Sequence, residues 1–343
     1  MQQSFSVDAP VFVLGIQRSG TTWLANIFDS SPETLLLFEP FAPRYNIFKQ
    51  FPHEFIYIAP PAPFLGNRIK EKLPELVDSK SVFFKRSDIS YLSFAFERFV
   101  MRSLLQVDRV IRSSRLEFAH QYQLLNLNRM NDRNLFFPKD KIPKTYVIKE
   151  LRLNSKVDLL AHTYPNAKFI FIVRHPVAVV HSILTWFRRG HLGELMSNLD
   201  IFADCMASQV VFQPYLDKIE FCKNRGAEYR LALHWLLNSE IILKQFEKNT
   251  RTRIVIYENL AKDPMTVIRD LFDFAGLELD LQAEKYVNKS STNSLAKMGV
   301  IDTERKSATY YKKWQSQVST SVQQAVLEIV GESQLLPRIE SFY

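Results

Sequence analysis

The sequence predicts an α/β fold with a mostly parallel central sheet flanked by helices, and three features point that way. Short apolar runs alternate with amphipathic segments along the 343 residues, as strands joined by helical crossovers do. The run Phe169 to Val173 is apolar without interruption, as in a strand covered on both faces. The run Val11 to Leu14 leads through a glycine-bearing turn into a helix, which makes a phosphate-loop-like strand, loop and helix N-terminus.

The elements follow in order. Val11 to Leu14 is the first strand, and the helix near Thr21 to Asp29 puts Trp23, Leu24, Ile27 and Phe28 on one face. Leu35 to Phe38 is a second strand and Tyr146 to Lys149 a third. Ser155 to Tyr164 reads as a helix that stops before Pro165. After the strand Phe169 to Val173, Pro176 occupies the first turn of a helix that continues from Val177 to Phe187. A long helix is expected from Tyr229 to Glu247 and the last clear strand from Arg253 to Tyr257. Asp263-Pro264 then caps a helix that ends at Gly276, and a final helix lies near Ser319 to Val330. Two stretches read as irregular: 40–68, where prolines mix with Phe and Tyr, and 186–226, which carries Arg188, Arg189 and His191. No linker or repeat interrupts the chain, so one domain over 1–343 is expected.

Composition narrows the function classes. Hydrophobic residues make up 46% of the chain, with 27 Phe, which supplies a large core and excludes a disordered chain. No apolar run is long enough for a bilayer span, and Met1 to Pro10 lacks the basic start and apolar centre of a signal peptide. Cys205 and Cys222 cannot build a disulfide framework and have no metal-ligand neighbours, which suits a reducing, cytoplasmic setting. The net charge of +8 favours an anionic partner. The basic residues form no block and no nucleic-acid-binding motif is present, so a small polyanion is preferred over nucleic acid.

The first loop says which anion. Gly15 and Gly20 have phosphate-loop spacing, but Thr21 stands where a nucleotide triphosphatase needs Lys, and the cation sits inside the loop at Arg18. The string Arg18-Ser19-Gly20-Thr21-Thr22-Trp23 after a buried strand resembles the 5′-phosphosulfate loop of sulfotransferases that use 3′-phosphoadenosine-5′-phosphosulfate (PAPS). Further on, Arg174 ends the strand Phe169 to Val173, and Ser182 follows eight residues later in the next helix. That places a bidentate guanidinium and a hydroxyl on one side of a ligand, and it resembles the same family's 3′-phosphate site. The segment Arg253 to Pro264 is similar to the family's strand-Tyr-Glu-x-Leu-x-x-x-Pro pattern, with Tyr257 and Glu258 closing the strand end near the nucleotide. Arg305-Lys306 through Lys312-Lys313-Trp314 is similar to a loop that clamps the 3′-phosphate in cytosolic members, with Ser307 in place of its glycine. The resemblance covers 11–39, 144–187, 229–277 and 305–330.

The resemblance implies PAPS as co-substrate, adenosine 3′,5′-bisphosphate as product and no metal requirement. It assigns Arg18, Ser19, Gly20, Thr21 and Thr22 to the phosphosulfate, Trp23 to adenine, and Arg174, Ser182, Arg305, Lys306 and Lys312 to the 3′-phosphate. Two carboxylates compete for the role of base. Glu39, in Phe38-Glu39-Pro40, resembles the Glu-Pro of carbohydrate-type members; Glu150 follows the Tyr146 to Lys149 strand. Lys149 stands where cytosolic members carry a Lys near a catalytic His, and no His is present here. Either Glu can instead serve a strand-end salt bridge with Arg152 or Arg44. The expected acceptor is a hydroxyl or amine of a saccharide, lipid or small metabolite, with 40–68 and 186–226 as candidate walls. A magnesium-dependent phosphate-loop kinase and a non-catalytic PAPS-binding relative are the alternatives.

Overall fold

Five parallel strands form one sheet in the order β2-β3-β1-β4-β5 in a computed structural model that describes residues 9–41, 56–78, 145–247, 249–292 and 311–343. The strands are β1 (Val11–Gly15), β2 (Thr34–Phe38), β3 (Thr145–Glu150), β4 (Lys168–Val173) and β5 (Thr252–Ile256). Each matches its sequence-predicted counterpart to within one or two residues. One boundary differs in kind: Tyr257 does not end β5 but opens a short helix.

Side chains alternate between the two faces of a strand, and here both faces are covered. Phe12, Leu14, Ile148, Phe169 and Phe171 join one core. Val11, Val13, Val147, Ile170 and Ile172 join the other. The second is closed by α1 (Thr21–Asp29) and by a helix at Pro264–Ala275, where Phe28 and Phe272 stack at 4.9 Å. Both sides of α1 are therefore packed, so the helix is buried along nearly its whole surface rather than on one face.

Two expectations are corrected. The stretch 40–68 is not loop throughout: α2 runs Pro63–Asp78. Pro63 is its first residue, where the missing N–H costs no hydrogen bond. Gly66 lies within it because a Cβ there would come 2.8 Å from Thr163 Oγ1. The part of that stretch at 42–55 lies outside the described residues. The stretch 186–226 is also mostly helical. After α3 (Val157–Thr163), α4 (Pro176–Arg188) carries through its start, and α5 (Gly193–Ser197), α6 (Leu199–Ala207) and α7 (Leu216–Lys223) follow, with a 3₁₀ turn at Val210–Tyr215. Gly190 (φ 81°) and Leu192 (φ 59°) break the chain between α4 and α5. The long helix α8 (Ala227–Phe246) packs behind α4.

The connections after β1 and β4 leave in opposite directions along the sheet, toward β2 and β5. This switch point opens a crevice at the carboxyl ends of the two strands, the position at which such sheets bind ligands.

Candidate active site

The loop after β1 is shaped by two glycines. A Cβ on Gly15 would lie 2.6 Å from Thr21 Cγ2 and 2.8 Å from the Ile172 carbonyl. Gly20 has φ 98°, and a Cβ on it would lie 2.6 Å from the Tyr257 ring. Gly20 is also the N-cap of α1, so no side chain caps that helix, and its first turn holds no acidic residue. The first-turn amides therefore turn toward the loop with the positive end of the helix dipole. Arg18 takes a left-handed backbone conformation (φ 69°). Its Nε donates to Ser182 Oγ at 3.0 Å, and its guanidinium lies 4.6 Å over the Trp186 ring. Arg174, just beyond β4, donates from Nη1 to the Arg18 carbonyl at 3.4 Å and stacks 4.6 Å over Tyr257. Among the described residues, the buried Arg174 Nε and Ser19 Oγ find no hydrogen-bond partner. Two strand ends thus bring cations and unsatisfied donors to one uncapped helix N-terminus, the chemistry of an anion cradle.

The backbone carrying Arg174 is held from behind. Trp235 Nε1 donates to the Arg174 carbonyl at 2.9 Å, and the next amide, His175 N–H, donates to Glu258 Oε1 at 3.0 Å. Burial pushes the Glu258 carboxyl above the usual carboxylate range. His175 opens α4, and burial next to Arg174 lowers its imidazole to about 3, so it is neutral.

The other end of the crevice, after β2 and β3, holds the two carboxylates. Glu39 has φ 50° and donates its N–H to the Lys149 carbonyl at 2.8 Å. Its carboxylate accepts from Lys149 Nζ and, at 3.5 Å, from Arg152 Nη1. Glu150 is fully buried. Its Oε2 accepts from Phe41 N–H at 2.9 Å, and its Oε1 from Leu151 N–H at 2.8 Å and Arg152 N–H at 3.2 Å. Burial raises Glu150, opposed by Arg152. Burial lowers Lys149, opposed by Glu39.

The Sulfotransferase family profile matches residues 10–281, most of the chain. The chain belongs to the sulfotransferase family. The expected activity, PAPS-dependent sulfuryl transfer, agrees with that membership. Carbohydrate sulfotransferase 5 of Mus musculus is 25% identical over 296 residues, which cover 83% of this chain and 68% of that protein. Carbohydrate sulfotransferase 3 of Homo sapiens is 27% identical over 86 residues, 25% of this chain and 18% of that one. Among solved structures, a sulfotransferase domain from the curacin biosynthetic pathway aligns over 96% of this chain and 98% of its own, with a TM-score of 0.45 and 15% identity.

In this sulfotransferase most of the residues expected to act share the carboxyl edge of the sheet: Arg18, Ser19, Gly20, Thr21, Glu39, Lys149, Glu150, Arg174 and Tyr257. Ser182 joins them from α4 through Arg18. Trp23 is largely in the core, with Nε1 donating to Ser290 Oγ at 3.0 Å and its ring set edge-on to Tyr257 at 6.1 Å. Lys312 contacts the Tyr343 carbonyl at 3.3 Å. Arg44, Arg305 and Lys306 lie outside the described residues. Sequence reading missed Trp186, Trp235 and Tyr343. Trp186 had a usable signal, because it follows Ser182 by four residues and so shares its helix face. Among the described residues, no group of three or more His, Cys, Asp and Glu is placed to hold a metal ion, and no helix is long and apolar enough to cross a membrane.

Proposed function

We propose that this protein transfers the sulfuryl group of PAPS to a hydroxyl of a saccharide, with Glu39 as general base. The observation that carries the reading is the convergence of Arg18, Arg174 and the uncapped start of α1, with Arg174 Nε and Ser19 Oγ unpartnered among the described residues. In this assignment the amides of Ser19 to Trp23 and the Arg18 guanidinium take the 5′-phosphosulfate, while Arg174 and Ser182 take the 3′-phosphate. Lys312, with Arg305 and Lys306, is assigned to the 3′-phosphate. The acceptor oxygen attacks sulfur as the bond to the 5′-phosphate oxygen breaks. The charge gained by the departing phosphate falls on preorganised donors, and no metal is assigned a part in the step.

The bonding of the two carboxylates supports Glu39 as base over Glu150. All three amides around Glu150 donate to it, which suits a carboxylate that fixes the chain around Phe41 and Arg152. Arg152 Nη1 lies 3.5 Å from both carboxylates, but Glu39 is partly exposed where Glu150 is buried, which leaves Glu39 within reach of an acceptor hydroxyl. Lys149 brings positive charge to the same strand end. A saccharide acceptor is suggested by the carbohydrate sulfotransferases to which the chain is similar. The cytoplasmic setting belongs to the same proposal and rests on Cys205 and Cys222 being free thiols.

Sulfur-35-labelled PAPS, offered with neutral oligosaccharides, anionic glycans, a lipid alcohol and a phenol, tests this reading. Label is expected on a saccharide. Label only on the lipid alcohol or the phenol overturns the acceptor class, and no transfer despite donor binding identifies a non-catalytic relative.

A further inference from the structure

The Glu258 carboxylate that holds the Arg174 segment is itself held, by a residue 85 positions away. Tyr343 Oη donates to Glu258 Oε1 at 2.9 Å and accepts from Trp314 Nε1 at 2.9 Å; the Tyr311 carbonyl lies 3.3 Å from the same hydroxyl. The Tyr343 ring packs edge-on against His175 at 5.2 Å, against Trp314 at 5.4 Å and against Tyr311 at 5.6 Å. His175 stacks on Trp314 at 4.2 Å. A continuous path therefore runs from the Trp314 indole through the Tyr343 hydroxyl and the Glu258 carboxylate to the amide next to Arg174. Among the described residues the buried Glu258 Oε2 finds no hydrogen-bond partner, and Oε1 carries the hydrogen bonds that aim this carboxylate. A buried, under-satisfied carboxylate that loses one of these donors reorients or repels its surroundings, and the peptide that directs the Arg174 guanidinium moves with it.

We propose that Tyr343 is a positioning residue of the donor site, acting through Glu258 and His175 to hold Arg174 in place for the 3′-phosphate. This rests on the assignment of Arg174 to that phosphate. It predicts an effect confined to one end of the donor, and a residue that only stabilises the fold does not produce that pattern. Calorimetric titration of wild type, Tyr343→Phe and Arg174→Ala with adenosine 3′,5′-bisphosphate and with adenosine 5′-phosphate reads it directly. Tyr343→Phe keeps the ring and removes the hydroxyl. It is expected to weaken bisphosphate binding about tenfold, the scale of one hydrogen bond to a charged group, and to leave monophosphate binding unchanged. The ratio of the two affinities then shifts as it does in Arg174→Ala. An unchanged ratio in Tyr343→Phe, with a lowered ratio in Arg174→Ala, overturns the inference and leaves the donor site standing. A wild type that does not prefer the bisphosphate overturns the donor assignment itself and the inference with it. If Tyr343→Phe fails to fold, Trp314→Phe, which removes the indole donor to the same hydroxyl, carries the same test: a lowered ratio supports the path and an unchanged one refutes it.

Discussion

The two ends of the crevice are built in opposite ways. At the β1–β4 end, donors stand ready: no side chain caps the start of α1, and among the described residues nothing bonds the buried Ser19 Oγ and Arg174 Nε. At the β2–β3 end, the charges already answer one another. Glu150 collects three amides, and Glu39 pairs with Lys149 and Arg152. Leaving buried donors unsatisfied costs stability, a cost that a bound ligand would offset. In the proposed reading, donor capture belongs to the first end and proton handling to the second.

The sharpest way to break this comparison is Glu39→Gln. Removal of a general base lowers the rate by about 10²–10⁴-fold, so kcat is expected to fall on that scale while the affinity for adenosine 3′,5′-bisphosphate stays unchanged. A variant that loses donor affinity along with turnover would merge the two ends. Next in size, Arg174→Ala is expected to weaken bisphosphate binding by about 10- to 100-fold, the worth of a charge-assisted contact, as read by calorimetry.

Glu150→Gln probes the closed end differently. It leaves a buried amide facing the Phe41 N–H, and the expected loss of stability is about 1–3 kcal/mol, measured by urea unfolding. Turnover should drop far less than in Glu39→Gln; an equal drop would make Glu150 the base. The smallest effect concerns His175. Its folded imidazole is lowered to about 3, against about 6.5 when unfolded. Between those values the unfolded chain binds a proton that the folded chain does not, so stability is lost as pH falls through the window. His175→Phe keeps a ring on Trp314 and removes that titration. The decline in unfolding free energy from pH 6 to pH 4 should become shallower by up to about 1.4 kcal/mol per pH unit. Parallel profiles would show that His175 is not held neutral.

The donor end was legible in the sequence because its chemistry is local. Arg18 to Trp23 is one unbroken string, and Arg174 and Ser182 share one strand-to-helix passage. What fixes that chemistry in place is not local. Trp235 reaches Arg174 across 61 residues and Tyr343 reaches Glu258 across 85, and no periodicity marks such pairs. The two carboxylates were equally visible, both at strand ends. The roles proposed for them rest on the burial of Glu150 and the amides that fold around it. The helices α5 and α7 were missed because five and eight residues display little helical period, and α2 because a proline that opens a helix looks, in sequence, like one that forbids it.

Titration of the wild type with adenosine 3′,5′-bisphosphate, and in parallel with ATP plus magnesium, decides which nucleotide the β1 loop takes. Saturable binding of the bisphosphate is expected, with no comparable binding of magnesium ATP. Binding of magnesium ATP alone would contradict this and make the β1 loop a triphosphate site.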